Sequence, residues 1–124
     1  MNYALVFLGG GIGAALRYGI NVAFGRAFGT AFPWHTLFEN VTGSVAMGLL
    51  AGLFAFKSDA SEGLRLFLTT GILGGYTTFS AFSLDALLLY ERGQVGVAAA
   101  YVAGSVVLSI AGLAAGLMLV RAIS

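Results

Sequence analysis

Gly71–Asp85 reads GILGGYTTFSAFSLD, a stretch that places glycines and hydroxyl side chains inside an otherwise apolar run. Gly74 and Gly75 loosen the backbone there, and the polar groups that follow are ones that lipid cannot satisfy. Those groups belong to Tyr76, Thr77, Thr78, Ser80 and Ser83. Interrupted membrane helices expose free carbonyls and amides at bilayer depth, where transporters and channels bind ions. The segment therefore predicts a membrane helix that is broken near Gly74–Thr78 and carries an ion site.

The composition indicates that the chain folds in a bilayer. Of its 124 residues, 59% are hydrophobic and 9% are charged, and the mean hydropathy is +0.95. A soluble domain carries about 25% charged residues, so this chain lacks the polar surface that water requires. Because each crossing needs roughly 20 apolar residues, the length suits four helices and leaves no separate soluble domain.

Four apolar stretches predict an all-α membrane protein with a single integral membrane domain over residues 1–124. Their approximate limits are residues 3–24, 34–56, 63–90 and 95–120. The third stretch is too long for one straight crossing, which agrees with a break in its middle. Pro33 suits the first turn of the second helix, and Trp34 belongs at the membrane interface. We expect no cleavable signal peptide, since no basic region precedes the first apolar stretch.

Several classes of function are disfavoured by the residue types that the chain lacks. The net charge is +1 and no basic cluster is interleaved with aromatic residues, so no nucleic-acid partner is expected. The absence of cysteine excludes thiolate metal sites and disulfides. One histidine and no cysteine leave few groups for acid-base or nucleophilic chemistry, so the chain is not expected to be an enzyme.

Two of the predicted helices carry polar stripes, because hydroxyl and amide residues recur at four-residue spacing and so share one face. The stripes consist of Thr36, Asn40 and Ser44 in the second stretch, and of Tyr101, Ser105 and Ser109 in the fourth. Hydrogen bonds between helices are one explanation, and they are worth only about 0.6 kcal/mol per contact on average. The wall of a polar path is the other, and we favour it. An uncharged amide such as Asn40 can replace part of an anion's hydration and still release the ion.

Phe79 and Phe82, three residues apart after the glycines, fall on roughly the same side of a helix. Ordinary packing is one interpretation of this pair. The other is an anion contact, because the edge of an aromatic ring is positive and attracts a small anion without a formal charge. Asp85 closes the segment, and its role stays open at this point.

Charged residues also occur inside the first two predicted helices. Arg17 either extends its long side chain to the interface or attracts anions into a vestibule. Glu39 is a carboxylate at membrane depth, which is costly and normally faces a partner or water. Arg17 is the basic residue to test as its partner, and His35 is interpreted as structural.

The basic residues give no clear orientation in the membrane. With four spans, one side carries three of them and the other carries two, or three if Arg17 extends to that side. The first set is Lys57, Arg65 and Arg121, and the second is Arg26 and Arg92. The positive-inside rule therefore has almost no bias to act on, so the chain is expected to insert both ways and form an antiparallel two-fold dimer.

Three segments of the sequence resemble motifs of the CrcB/Fluc fluoride channels. Gly74–Ser83 resembles their GGxTTFSTFS segment, and Thr36–Gly43 is similar to GTLxVNxxG. Gly9–Tyr18 looks like the first-helix motif GGxxGAxxRY. The resemblance covers the whole chain and implies a four-helix protein that forms a dual-topology antiparallel homodimer, with two fluoride pores and a central structural sodium ion.

The same resemblance implies roles for individual residues. It implies that the pore is lined by the aromatic pair with polar neighbours, by the stripe of the fourth helix and by Thr36 of the second. These residues are Phe79, Phe82, Asn40, Ser80, Tyr101, Ser105, Ser109 and Thr36. Gly74 and Thr77 would supply backbone carbonyls to the sodium ion, which suits a hard cation. Arg17 would be the vestibule arginine.

The resulting hypothesis is a fluoride channel in the cytoplasmic (inner) membrane that passively exports fluoride and so confers fluoride resistance. Two positions depart from the family pattern: His35 stands where glycine is usual, and Glu39 where a small or apolar residue is usual. The alternative is a small dual-topology multidrug/proton antiporter. Such an exporter needs a membrane carboxylate in its binding chamber, and Glu39 is the residue that would serve.

Overall fold

The computed structural model describes residues 1–56 and 59–123, and these fold into helices joined by short connections. The elements are α1 (Asn2–Phe28), α2 (Trp34–Phe56), α3 (Glu62–Leu66), a π-helical segment (Phe67–Leu73), α4 (Gly74–Tyr76), α5 (Phe79–Glu91) and α6 (Val95–Ile123). Lys57, which entered the prediction of orientation, lies outside the described residues.

Four helical stretches are long and apolar enough to cross a membrane, which confirms the predicted all-α architecture. They run over Asn2–Phe28, Trp34–Ala55, Glu62–Glu91 and Val95–Ile123. Large apolar side chains such as Phe7, Leu108 and Ile110 are exposed on the outside of these helices. A bilayer accepts such surfaces because lipid tails are as apolar as the side chains themselves.

Helix α1 packs against the π segment and α4 through glycines that let the backbones touch. A Cβ atom at Gly9 would lie 2.6 Å from the carbonyl oxygen of Phe67, and one at Gly13 would overlap the carbonyl of Ile72. On the opposite side of this contact, a Cβ at Gly75 would overlap the carbonyl of Gly10. Small residues at four-residue spacing permit such close approach in membranes, so α1 lies directly on the third span.

Helices α2 and α6 form a second close pair by the same means. A Cβ at Gly116 would lie 2.6 Å from the carbonyl oxygen of Val45, and one at Gly48 would overlap the carbonyl of Leu113. A Cβ at Gly52 would lie 2.8 Å from the Cβ atom of Val120. These contacts fix α6 along α2, so the two helices that carry the polar stripes are neighbours.

The third span is a chain of short helical pieces. Helix α4 ends at Tyr76, and Thr77 and Thr78 have extended backbone angles, with φ −86° and ψ 157° at Thr77 and φ −151° and ψ 121° at Thr78. Helix α5 then begins at Phe79, and its first turn is capped by the Thr78 hydroxyl, which accepts a hydrogen bond of 3.1 Å from the amide of Ala81. Threonine is a favoured N-cap residue because its hydroxyl satisfies an amide that the helix leaves free.

A small apolar core holds α5 against α6. It consists of Phe82, Leu89, Ala98 and Tyr101, with Phe32 packed against it. The Tyr101 ring lies edge-on to Phe32, with 5.4 Å between ring centroids, and 5.2 Å from the ring of Phe82. This core places the start of α5 beside the middle of α6.

Candidate functional site

Asn40 binds the extended backbone between α4 and α5 with both ends of its side-chain amide. Its Oδ1 atom accepts a hydrogen bond of 2.8 Å from the amide of Thr78, and its Nδ2 atom donates one of 3.1 Å to the carbonyl of the same residue. The pairing resembles that of a neighbouring strand, and it satisfies the amide of Thr78, which has no helical acceptor because the helix is interrupted there. Since the amide carries two N–H donors, one remains for another acceptor.

The carbonyls around the extended residues divide into those that accept hydrogen bonds and those that do not. The Leu73 carbonyl accepts from both the amide and the hydroxyl of Thr77, at 3.0 and 2.9 Å. The Gly75 carbonyl accepts from Nε of Arg17 at 3.1 Å. In a continuous helix the amide of Thr78 would donate to the carbonyl of Gly74. Here it donates to Oδ1 of Asn40 instead. Among residues 1–56 and 59–123, no hydrogen bond reaches the carbonyls of Gly74 and Thr77.

A cavity of about 360 Å³ opens beside this backbone, between α2, α5 and α6. Its polar wall is formed by Asn40, Ser44, Thr77, Thr78, Ser105 and Ser109, and its apolar wall includes Met47, Leu73, Phe79, Phe82, Val106 and Leu113. Ser105 is 5% exposed, and within the described part of the chain its hydroxyl has no hydrogen-bond partner. A buried hydroxyl without a partner is costly, so a polar molecule or ion in the cavity would stabilise this position.

The two phenylalanines contribute to this cavity in different ways. Phe82 is 9% exposed within the α5–α6 core, whereas Phe79 is 79% exposed. Their ring centroids lie 5.6 Å apart with an interplanar angle of 45°. One ring is therefore held by the fold of this chain, and the other projects from it.

Asp85 joins the two polar stripes at one end of the bundle. Its Oδ2 atom accepts a hydrogen bond of 2.7 Å from the hydroxyl of Thr36 and one of 3.2 Å from the hydroxyl of Tyr101. Thr36 and Tyr101 are 0% and 1% exposed, so both hydroxyls depend on this carboxylate. A second, polar cavity of about 190 Å³ lies beside it, lined by Asp85, His35 and Arg92 among others.

Glu39 is 1% exposed, and its partner is a residue of α1 that the sequence analysis did not single out. With the side-chain amide of Asn21 oriented to satisfy its neighbours, its nitrogen donates to Glu39 Oε2 at 2.6 Å and to His35 Nδ1 at 3.0 Å. Within the described ranges Glu39 forms no ion pair with Arg17, whose Nε atom donates to the Gly75 carbonyl.

Some of the predicted site residues come together and others do not. The larger cavity unites Asn40, Phe79, Phe82, Ser105, Ser109, Gly74 and Thr77. Thr36 and Tyr101 both bind Asp85 and do not line the larger cavity. Ser80 is exposed, and its hydroxyl lies 3.3 Å from that of Thr78. Arg17 lies on the other side of the third span, bound to α4.

Two polar residues of the site were not assigned a role from the sequence. Asp85 carried a signal, since a carboxylate within a membrane span normally has a partner of functional or structural importance. Asn21 carried a weaker one: it is a polar residue in an apolar helix, four residues after Arg17. Its partner lies on another helix, and sequence spacing does not indicate pairs of that kind.

The fold and this site define a class: small membrane proteins of four crossing helices, with a cavity lined by amide, hydroxyl and aromatic groups. A family model described as "CrcB-like protein, Camphor Resistance (CrcB)" matches residues 4–117, and the chain belongs to this family.

Similar proteins match this chain over nearly its whole length. The chain is 69% identical over 124 residues to a protein named "Fluoride-specific ion channel FluC" from Rhodopseudomonas palustris (strain BisB5), with 100% of both chains covered. It is 66% identical, with the same coverage, to a protein of that name from strain ATCC BAA-98 / CGA009 of the same species. A third, from Methylobacterium sp. (strain 4-46), is 54% identical over 121 residues, which cover 98% of this chain and 97% of the relative.

Proposed function

We propose that this protein is a fluoride-selective channel that lets fluoride leave the cytoplasm passively across the cytoplasmic membrane and so lowers its toxicity. Relatives with this name align with the chain from end to end at 69% and 66% identity. The observation that carries the proposal is the hydroxyl of Ser105, buried without a partner in a cavity that Asn40 and the two phenylalanines also line.

The donors of this cavity suit a small anion that has to be bound and then released. The hydroxyls of Ser105 and Ser109 and the second N–H group of Asn40 can each donate a hydrogen bond. The edges of Phe79 and Phe82 add a weak attraction without a formal charge. Conduction requires binding that replaces hydration and still permits release, and uncharged donors meet both conditions. No catalytic step is involved.

A structural sodium ion fits the backbone between α4 and α5. The carbonyls of Gly74 and Thr77 accept no hydrogen bond among the described residues, and carbonyl oxygens are ligands that hard cations prefer. When bound, the cation would neutralise these carbonyl dipoles and hold the two ends of the third span together. The interruption at Thr77–Thr78 is, on this proposal, the functional break of the third membrane helix.

The channel is an antiparallel homodimer in this proposal. Phe79 is 79% exposed although it lines the cavity, so a second copy is the natural element to cover this open side. A single set of four helices is also thin for enclosing a conduction path. The two sides of the membrane carry nearly equal numbers of basic residues, which favours insertion in both orientations: Lys57, Arg65 and Arg121 on one side, and Arg26 and Arg92 on the other.

The alternative, a small multidrug/proton antiporter, receives no support from the family or from the names of the relatives. Its required carboxylate, Glu39, is 1% exposed and bound by Asn21, away from the lining of the larger cavity.

The proposal is tested with purified protein in liposomes loaded with fluoride or chloride, with a potassium ionophore to balance charge. Rapid release of fluoride without release of chloride is the expected result. Liposomes without protein and liposomes containing Ser105→Ala serve as controls for leakage and for the cavity. Absence of fluoride release from a folded dimer, or equal release of chloride, would overturn the proposal.

A further inference from the structure

Arg17 makes a hydrogen bond whose position bears directly on the proposed cation site. Its Nε atom donates to the carbonyl of Gly75 at 3.1 Å, across 58 residues of sequence. The side chain is partly buried, so it does not extend freely into solvent. A vestibule role alone requires a guanidinium that faces water, whereas here one of its donors is committed to the backbone of α4.

The close packing of α1 fixes where this bond forms. Gly13, one turn before Arg17, lies so close to the third span that a Cβ atom there would be 2.8 Å from the amide of Tyr76. From the third span, a Cβ atom at Gly75 would overlap the carbonyl oxygen of Gly10. Because the two backbones touch over this turn, the Arg17 side chain emerges directly beside the last turn of α4.

The bond also affects which carbonyls remain available in that turn. Leu73 and Thr78 have their carbonyls occupied by Thr77 and Asn40, and Gly75 has its carbonyl occupied by Arg17. Without Arg17, the Gly75 carbonyl would join that of Gly74 as a free oxygen at the end of a short helix, and α4 would lose this hydrogen bond from α1.

We propose that Arg17 is a positioning residue for the cation site: by binding the Gly75 carbonyl it holds α4 in place and leaves the carbonyls of Gly74 and Thr77 as the ligands. This inference rests on the proposed function, because it requires that a sodium ion binds there. It assigns Arg17 a role in cation affinity in addition to any effect of its charge on anions.

The positioning role and a purely electrostatic role predict opposite effects. A guanidinium next to a cation repels it, so removal of the charge alone would strengthen sodium binding. Loss of a positioning hydrogen bond would weaken sodium binding, because the carbonyls would no longer be held for the ion. The direction of the change in affinity therefore separates the two roles.

The experiment measures the thermal unfolding midpoint of the full-length protein in detergent as sodium chloride replaces choline chloride at constant ionic strength. The variants Arg17→Met and Arg17→Ala remove the charge and every N–H donor, whereas Arg17→Gln removes the charge and keeps a donor at the level of Nε. Arg26→Met is the matched control near the end of the same helix. We expect Arg17→Met to raise the sodium concentration for half-maximal stabilisation about tenfold, the effect of one lost charge-assisted hydrogen bond. Arg17→Gln should shift less than Arg17→Met, and Arg26→Met should not shift.

The outcomes distinguish this inference from the proposed function. If the wild-type protein shows no sodium-dependent stabilisation, the cation site itself is absent and both proposals about it fail. If the wild type is stabilised by sodium and Arg17→Met binds sodium as well or better, Arg17 does not position the site, while the channel proposal stands. Should Arg17→Met not fold, the Arg17→Ala titration decides by the same criterion. Fluoride efflux from liposomes adds a second readout, since saturating sodium should restore flux in a positioning variant.

Discussion

Asn40→Asp is the substitution that most directly tests the pairing between α2 and the extended backbone. The two side chains have the same shape, so the cavity volume barely changes. One carboxylate oxygen can still accept from the Thr78 amide, in place of the present bond of 2.8 Å. The other oxygen replaces a donor that lies 3.1 Å from the Thr78 carbonyl, so two acceptors face each other there.

The magnitude follows from the groups that lose their partner. A lost hydrogen bond costs about 1 kcal/mol, and the second carboxylate oxygen, which faces the Thr78 carbonyl without a donor, costs about 1–3 kcal/mol more. We therefore expect Asn40→Asp to destabilise the folded protein by about 2–4 kcal/mol near neutral pH. Protonation of the introduced carboxyl would restore an O–H donor to the Thr78 carbonyl. The destabilisation should accordingly shrink as the pH is lowered.

The assay is equilibrium unfolding of the purified protein in detergent at several pH values, paired with fluoride efflux from liposomes. Ser44→Ala is the matched control, because Ser44 lies one turn further along α2 and lines the same cavity. It should leave the unfolding midpoint almost unchanged. An Asn40→Asp protein that matches the wild type in stability and fluoride flux at neutral pH would refute the reasoning about the Thr78 peptide.

Three further predictions concern the aromatic pair, the helix contacts and the carboxylate at the end of the bundle. Phe79→Ile and Phe82→Ile should each cut fluoride efflux from liposomes while the protein remains folded, and unchanged efflux in both would remove the aromatic role. Gly13→Ala should prevent stable folding, as judged by size-exclusion chromatography, because its Cβ would overlap the backbone of the third span; Gly11→Ala, with open space around it, should behave as wild type. Tyr101→Phe should lower the free energy of unfolding by about 1 kcal/mol through loss of the hydrogen bond to the carboxylate, and an unchanged unfolding curve would argue against that bond.

The membrane architecture could be predicted from the sequence because hydropathy and length are properties of single segments. Four apolar stretches of sufficient length predicted four crossing helices, and the structure confirms them. The contact of Gly9 and Gly13 with the third span follows the same logic, because small residues four apart on one helix face are visible in the sequence of a single segment. Family membership was likewise predicted from the segments Gly9–Tyr18, Thr36–Gly43 and Gly74–Ser83, and it is confirmed by the match over residues 4–117.

The partners of polar side chains could not be predicted in the same way, because they depend on how helices dock. Asn40 was selected for its uncharged donors, but nothing in the spacing indicates that both ends of its amide bind Thr78. Likewise, Glu39 was paired with Arg17 on charge alone, whereas the structure gives it Asn21. The roles of the pore and sodium residues remain predictions that the experiments above address.

The π-helical segment Phe67–Leu73 makes the length of the third span as important as its composition. A π turn behaves as an α-helix with one residue inserted, so deletion of one residue could relieve it and restore regular hydrogen bonding. A deletion in α4, where no wide turn can absorb the change, would instead rotate everything downstream by about 100° around the helix axis. Thr78 would then turn away from Asn40, and Phe82 away from Tyr101. The length of the chain between the π segment and Thr78 therefore sets the register of the whole second half of the third span.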